Sequence, residues 1–240
     1  MIEGITTYDI KAIIDSREHP CVYVFFDTCA LLDLLNLSIH QDKMSSDIFA
    51  KYEELRKLID EQRVVPLASV MNSIELESNY HKNSDKFQQD FKKFKKDVQP
   101  ILNLAESRGL ITNHIDCDSL NALDYAKELY ENIGKNILFI KERVSYDRFA
   151  MTRVLQKLPP AHKKHEYKDA YIWKTCLDVK SKSKKGDHIF FFTTNKIDFD
   201  IKDKDSRVQF ERDCGKKVTI VTSIHELMPK VKKELGIPMK

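Results

Sequence analysis

Several common functional signatures are missing from this sequence of 240 residues. It contains neither a G-x-x-x-x-G-K-S/T loop nor a G-x-G-x-x-G pattern, so nucleotide-dependent chemistry has no recognisable anchor. The five cysteines include no C-x-x-C pair and are odd in number, which argues against a zinc knuckle or a closed disulfide framework. No amino-terminal signal pattern is present, and the longest uninterrupted apolar run, Cys21 to Phe26, is too short to span a membrane. We therefore expect a cytoplasmic protein with reduced cysteines and no membrane partner.

A large excess of one charge is also missing. Lys+Arg 40 against Asp+Glu 37 leave a net charge of +3, which by itself indicates no particular partner. The lysines are nevertheless clustered in residues 82–96 and 163–185, and such basic faces favour a polyanion such as nucleic acid. The alternative interpretation is that they are ordinary solvated helix faces. With 42% hydrophobic residues, the chain can bury a substantial core.

Apolar segments that favour strands alternate along the chain with segments of helical periodicity. The pattern predicts strands at residues 21–26, 64–67, 189–194 and 218–221. It predicts helices at residues 8–14, from 30, at 48–59, from 70, at 85–100, 119–132, 137–155 and 166–177, and after 223. This order predicts a single α/β domain over residues 1–240, with a central, mostly parallel sheet flanked by helices. Residues 81–164 are interpreted as a helical insertion within it, and residues 195–217 as a charged loop.

Four acidic residues occupy positions where a parallel sheet places its ligands. Asp27 directly follows an apolar run, and Asp198 follows the strand predicted before it. Because open α/β sheets bind ligands at the carboxyl ends of their strands, we expect these two acids at one crevice. Glu75 and Asp169 lie near the starts of predicted helices and complete the set. Carboxylates that meet repel one another and need a cation, and an all-oxygen site favours Mg²⁺ or Mn²⁺.

Each acid also has an ordinary structural role. Asp27 alone could cap the helix that follows it, and Glu75 or Glu77 could be a solvated helix residue. Asp169 could be a first-turn partner of the helix dipole, and Asp198 could be a loop acid. The occurrence of all four in this order favours a shared site.

Four segments resemble the motifs of one known family. Residues 25–32 (Phe-Phe-Asp-Thr-Cys-Ala-Leu-Leu) look like the opening strand and turn of PIN domains, and residues 69–75 are similar to the helix that carries the family's glutamate. Residues 168–172 resemble its Asp-Ala motif on a helix, and residues 192–199 resemble its last motif, a strand followed by Thr-x-Asn-x-x-Asp-Phe. The order of the motifs and their placement on strands and helices also agree with a PIN-like fold.

The resemblance is clearest over residues 21–80 and 165–225, and it implies a metal-dependent nuclease that usually acts on RNA. Cys29 stands where many members have asparagine. The chemistry of such a reaction also suits clustered acids. In-line hydrolysis of a phosphodiester needs an activated water, a stabilised pentacoordinate charge and a neutralised leaving oxygen, and two divalent ions can supply all three.

The resemblance also implies a role for each motif residue. Asp27 and Asp169 are the expected primary ligands of Mg²⁺ or Mn²⁺, and Asp198 completes a second metal site. Glu75 is a ligand or orients the attacking water, with Glu77 as the alternative glutamate. Contacts with the substrate are expected from Thr28, Thr194, Asn195, Lys168 and Lys174.

Three functions agree with these residues. The first is an endoribonuclease with a two-metal acidic site, which the presence of all four acids favours. The second is a catalytically inactive PIN-fold module that binds nucleic acid or protein, and the third is a structure-specific DNA nuclease. The resemblance leaves open an inhibitor protein as a partner and a homodimer as the assembly.

Overall fold

Strands and helices alternate along the chain, as the sequence predicts. The computed structural model describes residues 6–36, 46–111, 122–164 and 166–238. The strands are β1 (Thr7–Tyr8), β2 (Val22–Phe26), β3 (Val64–Ser69), β4 (Leu138–Ile140), β5 (His188–Phe192) and β6 (Val218–Val221). The helices are α1 (Ile10–Asp15), α2 (Thr28–Asn36), α3 (Ser46–Asp60), α4 (Val70–Ser107), α5 (Ala122–Gly134), α6 (Val144–Gln156), α7 (Tyr167–Lys182), α8 (Lys204–Cys214) and α9 (Ile224–Glu234), with a 3-10 turn at Gly215–Lys217. Among these ranges, no helix combines the length and apolarity needed to cross a membrane.

Within the described residues, the strands form a six-stranded, all-parallel sheet in the order β1-β4-β3-β2-β5-β6. The predicted α/β class with a parallel sheet is therefore confirmed. Strand β2 lies in the middle, where Val22 is in register with Val64 of β3 and with His188 of β5. All five residues of β2 are buried, because helices cover both faces of the sheet, and this explains why the strand is apolar throughout.

Alternate residues of β2 supply the two cores. Val24 packs on the face that α2, α3, α5 and α9 cover, whereas Phe25 packs on the face that α1, α7 and α8 cover. At the centre of the second core, the fully buried Trp173 of α7 meets the rings of Phe191 and Phe210 edge-on. The ring centroids are 5.2 and 5.3 Å from that of the tryptophan. Both faces of β2 are thus fixed by close packing, which holds its carboxyl end in place.

The order in which strands are added to the sheet reverses beside β2. From β2 the chain adds β3 and β4 on one side, and it then crosses to add β5 and β6 on the other. Open α/β sheets bind their ligands at the carboxyl ends of the strands at such a switch point. Here the backbone N–H of Asp27 donates to the carbonyl of Phe192 at 2.9 Å, so the pairing of β2 and β5 extends into the connecting loops. The fold therefore places Asp27 and the residues after Phe192 side by side.

One correction concerns residues 81–164, which we predicted to be a helical insertion. Residues 137–155 were predicted as one helix, but they form strand β4 and then helix α6. Strand β4 pairs with β3 and β1 inside the sheet, so this part of the chain also contributes to the central layer. No glycine or proline separates β4 from α6, so the sequence pattern gave no sign of a boundary between the strand and the helix. The start of the helix predicted at 119 lies outside the described residues.

Two further helices differ from the prediction. The helix capped by Ser69 and the helix predicted at 85–100 are one helix, α4, which continues past Pro100 although proline cannot donate a backbone hydrogen bond. Helix α8 lies in the segment predicted as a charged loop. Its buried residues are Ser206, Phe210 and Cys214, at intervals of four, and two apolar residues among charged ones gave too weak a periodic signal.

A buried ion pair joins α6 to α8. Arg153 of α6 is 5% exposed, pairs with Asp213 of α8, and donates to the carbonyl of Pro159 at 2.9 Å. The other carboxylate oxygen of Asp213 accepts from Trp173 Nε1 at 2.9 Å. We expect Arg153→Ala to lower the free energy of unfolding by about 3–5 kcal/mol in urea titrations, because it leaves a buried carboxylate unpaired. The exposed Arg148 of the same helix is the matched control, and equal effects of the two alanine substitutions would contradict this role.

Candidate active site

Asp27 lies at the end of β2, where the strand meets helix α2. Its side chain is 1% exposed, and both of its oxygens accept hydrogen bonds. Oδ1 accepts from the backbone N–H of Thr28 at 2.8 Å, and Oδ2 accepts from the hydroxyl of Thr193 at 2.6 Å. Thr193 follows β5 directly, so the two strands at the switch point jointly fix the orientation of this carboxylate.

Glu75 reaches the same place from the second turn of α4. Ser69 caps this helix, as the sequence predicts, and the side chain of Asn72 accepts from the Ser69 N–H at 2.7 Å. The cap sets the rotation of the helix so that Glu75 Oε2 accepts from the hydroxyl of Thr28 at 2.6 Å. Glu77 is exposed, two residues further along. Of the two glutamates that the sequence left open, only Glu75 therefore contacts the residues around Asp27.

Asp169 and Asp198 are joined by one amide. Asn195 Nδ2 donates to Asp169 Oδ2 at 3.1 Å and to Asp198 Oδ2 at 3.0 Å. The backbone N–H of Asn195 is in turn held by the hydroxyl of Thr193 at 3.0 Å. Asp169 lies in the first turn of α7 and is 9% exposed, and Asp198 is fully buried in the loop after β5. The threonine that holds Asp27 thus also positions the asparagine that holds the other two aspartates.

Burial and mutual repulsion raise the pKa of two of these acids. Burial first, and then the charges of Glu75 and Asp198, raise the pKa of Asp27 to about 6, although hydrogen bonds to its carboxylate oppose the change. Burial first, and then the charges of the other three acids, raise the pKa of Asp169 to about 8. The four carboxyl groups therefore lie close enough to repel one another. Near neutral pH Asp169 therefore keeps its proton unless a cation lies beside it.

The buried side chain of Asp198 provides a specific test for a cation. Its Oδ1 atom is buried and has no hydrogen-bond partner within the described part of the chain. A buried carboxylate oxygen without a donor is costly, and a divalent cation would satisfy it. The site offers only oxygen ligands from its acids, which is the chemistry that Mg²⁺ and Mn²⁺ prefer. The acids therefore fit a hard divalent cation.

The spacing of the acids bears on the number of ions. In the described residues, the only group of three metal-ligating side chains whose ligand atoms all lie within 4.8 Å of one another is His19, Cys21 and Asp187. No three of the four acids approach one another so closely. In this arrangement of the side chains, a single ion would not contact three of the acids at once.

The predicted substrate residues divide into two groups. Lys168 lies at the site, with its Nζ atom 3.3 Å from Glu75 Oε1. Lys174 does not, because its ammonium lies over the ring of Phe149 at 5.6 Å from the centroid. Lys174 follows Asp169 by five positions, which places the two side chains about 140° apart around α7. Asn195 and the half-buried Thr194 lie in the loop beside the acids.

Thr28 lacks the exposed hydroxyl that a contact with substrate requires. It is 4% exposed, and its hydroxyl donates to Glu75 and accepts from Asn72 Nδ2 at 2.9 Å. Its hydroxyl proton is donated within the protein and the side chain is buried, so Thr28 positions Glu75. The adjacent Cys29 is partly buried, and burial followed by the neighbouring acids raises the pKa of its thiol.

Three residues around the acids were missed by the sequence analysis. Thr193 and Asn72 hold site residues, and Lys164 places its Nζ atom 3.9 Å from Asp198 Oδ2. Thr193 begins the Thr-x-Asn pattern after β5, so the spacing to Asn195 was a usable signal. Asn72 stands three residues after the cap Ser69, as in a capping box. Lys164 belongs to the lysine cluster at 163–185, but only the tertiary fold brings it to Asp198.

The two glutamates of α4 provide a matched pair of variants. We expect Glu75→Gln to lower the rate of any metal-dependent reaction at this site by about 10- to 100-fold, because the amide keeps its shape but not its charge. Glu77→Gln should leave the rate within about twofold, since that side chain is exposed. Rates measured at equal metal concentration compare the two. A larger loss in Glu77→Gln would assign the site to the wrong glutamate.

Comparison with known proteins agrees with this arrangement. The family profile of the PIN domain matches residues 24–199, a range that includes all four acids. The chain therefore belongs to the PIN domain family, as its motifs predict. PIN domains form a nuclease superfamily whose members generally depend on divalent metal ions. No curated protein and no solved structure matches the chain significantly.

Proposed function

We propose that this protein is an endoribonuclease that uses Mg²⁺ or Mn²⁺ to hydrolyse phosphodiester bonds within RNA. The observation that carries the proposal is the convergence of four acids from distant segments at the sheet switch point. They are linked through Thr193, Asn195 and Thr28. Burying carboxylates that repel one another destabilises a fold, whereas a metal site requires such a group of acids.

Each acid has a role in this proposal. Asp27, Asp169 and Asp198 would hold the cations, which would activate a water molecule and neutralise the leaving oxygen. Glu75 Oε2 is anchored by Thr28, so Glu75 Oε1 is the oxygen that orients the attacking water. Thr193 and Asn195 keep the carboxylates in fixed positions, and such preorganisation lowers the cost of reaching the transition state.

Two lysines at the rim suit an RNA phosphate. Lys168 and Lys164 are 46% and 51% exposed, and each lies beside one of the acids. When cations neutralise the acids, both ammonium groups become available to a phosphate of the substrate. This arrangement supports a polyanionic substrate, and we propose cytoplasmic RNA as that substrate.

The proposal is tested with chelator-treated protein and internally labelled single-stranded RNA. We expect cleavage within the strand on addition of Mg²⁺ or Mn²⁺, no cleavage in EDTA, and recovery when metal is restored. Single-stranded DNA and flapped DNA are run in parallel. Cleavage of flapped DNA but not RNA would replace the proposal with a structure-specific DNA nuclease.

The same protein distinguishes an enzyme from an inactive binding module. A module would bind RNA in EDTA, lose affinity steeply as salt is raised, and show no cleavage with any divalent cation. The charged acids at the switch point favour the enzyme. An inhibitor protein and a homodimer remain predictions of the family resemblance, and size-exclusion chromatography of the purified chain checks the second.

A further inference from the structure

A second cluster of metal-ligating side chains lies at the amino ends of strands β2 and β5, opposite the acidic site. His19 and Cys21 precede β2, and Asp187 precedes β5. One ligand atom from each of the three lies within 4.8 Å of the others. Cys21 and Asp27 are six positions apart, at the two ends of β2, so this cluster is about 20 Å from the acidic site. It brings together nitrogen, sulfur and oxygen donors, unlike the all-oxygen acids.

The contacts of the His19 ring show which atom is available to a ligand. Nε2 lies 2.9 Å from the carbonyl oxygen of Ile14, which can only accept, so Nε2 carries a proton. In the neutral ring Nδ1 then has a lone pair, and it faces Asp187 Oδ1 at 2.8 Å, which is also an acceptor. Two acceptors therefore face each other unless a second proton or a cation lies between them. Metal-bound histidines commonly donate their other N–H to a backbone carbonyl, as Nε2 does here.

The carboxylate of Asp187 is held as metal-ligating carboxylates are. Its side chain is fully buried, Oδ1 accepts from the Cys21 N–H at 2.9 Å, and Oδ2 accepts from the Lys184 N–H at 2.7 Å. These bonds orient Oδ1 toward His19 without satisfying the need for a charge partner. The thiol of Cys21 lies beside them and donates to the Glu18 carbonyl at 2.7 Å, a bond that a metal–thiolate contact would replace.

We propose that His19 Nδ1, Cys21 Sγ and Asp187 Oδ1 form a Zn²⁺ site, separate from the acidic site, with water as the fourth ligand. Zinc binds nitrogen at about 2.0–2.1 Å, sulfur at about 2.3 Å and oxygen at about 2.0–2.2 Å, so tetrahedral ligands lie about 3.3–3.6 Å apart. The observed 2.8 Å between Nδ1 and Oδ1 has to open by about half an ångström. The thiolate and imidazole select Zn²⁺ over Mg²⁺ and Mn²⁺.

Zinc at this position would stabilise the folded protein by joining two distant segments. It would join the segment before β2 to the segment before β5. His19 and Asp187, which lie in these two segments, are 168 residues apart in sequence. Because the unfolded chain does not hold the three ligands together, binding would stabilise the folded state.

The test uses full-length protein stripped of metal and titrated with Co²⁺, which reports a thiolate ligand through a sulfur-to-metal charge-transfer band. We expect one band-forming site per chain, displacement by Zn²⁺ but not by Mg²⁺, and a higher melting temperature with Zn²⁺. Cys21→Ser should remove the band and weaken Zn²⁺ binding by at least about 100-fold. Cys29→Ser, which changes another partly buried thiol, should keep the band, and so should Asp27→Asn. The zinc site and the proposed nuclease can therefore fail independently.

Three results would overturn the assignment. They are the absence of the band in the unmodified protein, its persistence in Cys21→Ser, and a doubly protonated His19 ring in NMR spectra at saturating Zn²⁺. The last result would mean that a second proton, rather than a metal ion, lies between Nδ1 and Asp187. It is measured on the unmodified protein, so it does not depend on whether a variant folds.

Discussion

Asp27→Asn should lower RNA cleavage by about 1,000-fold or more at saturating Mg²⁺. Removal of a single charge-stabilising group from an active site costs about 100- to 1,000-fold, and Asp27 is both a proposed ligand and the fixed point of the site. The amide retains the size of the carboxylate and can still accept from the Thr28 N–H. Thr193 can rotate its hydroxyl to accept from the new NH₂ group, so we expect the fold to survive. Initial rates and circular dichroism of the same samples separate the two effects.

Asp200→Asn is the control for this prediction. Asp200 lies in the loop two residues beyond Asp198, is partly exposed, and pairs with Lys163 at 3.4 Å. Its replacement should leave the rate within about threefold, because exposed ion pairs contribute little. If Asp27→Asn cleaves RNA as fast as the unmodified protein, the acidic site is not where hydrolysis occurs.

Metal-free protein should become less stable as the pH rises, and divalent cations should reverse this loss. The pKa of Asp169 is about 8 in the folded protein, against an ordinary value of 3.8 for aspartate. Between these values the folded state keeps a proton that the unfolded state has released, so the free energy of unfolding falls with rising pH. Asp27, with a pKa of about 6, contributes in the same direction. The combined loss in EDTA is on the order of a few kcal/mol between about pH 5 and pH 8.5.

Asp169→Asn isolates this effect from the titration of the histidines. Near pH 8.5 in EDTA, the variant should melt several degrees above the unmodified protein, since about 1 kcal/mol corresponds to about 2–4 °C in a chain of this size. The difference should shrink toward about pH 5, because the unfolded state gains less free energy from releasing the Asp169 proton as the pH approaches the ordinary pKa of 3.8. Saturating Mg²⁺ or Mn²⁺ should stabilise the unmodified protein more at high pH and the variant much less. A variant that is less stable than the unmodified protein at every pH would show that the acids do not repel one another.

Sequence patterns predicted the acids because each belongs to a local motif. Asp27 follows its strand directly, and Asp169 lies in the first turn of its helix, so the local sequence pattern identifies both residues. The side chains that hold them were harder to predict. Thr193 acts on Asp27 across the sheet, 166 residues away in sequence, and Asn72 acts on Thr28 over 44 residues. Hydrogen bonds between distant segments have no periodicity, so only the fold reveals them.

The elements that were predicted correctly carry strong and continuous signals. Strand β2 is an unbroken apolar run, and Ser69 is a capping residue at the start of an apolar-periodic segment. Strand β4 and helix α8 were missed for opposite reasons. β4 is only three residues long and was joined to the following helix α6, whereas α8 buries few apolar residues among many charges. Tertiary packing rather than local propensity specifies such elements.

The parallel pairing of β2 with β5 also governs when the acidic site comes into existence. The strands that flank the switch point are neighbours in space, yet all of β3, β4 and their helices lie between them in the chain. A polypeptide emerging from the ribosome therefore carries Asp27 long before Asn195 and Asp198 are synthesised. Contacts between such distant segments form late and slowly. Hydrolytic competence would thus arise near the end of synthesis, and a truncated product that stops before β5 would expose an open sheet edge without gaining an active site.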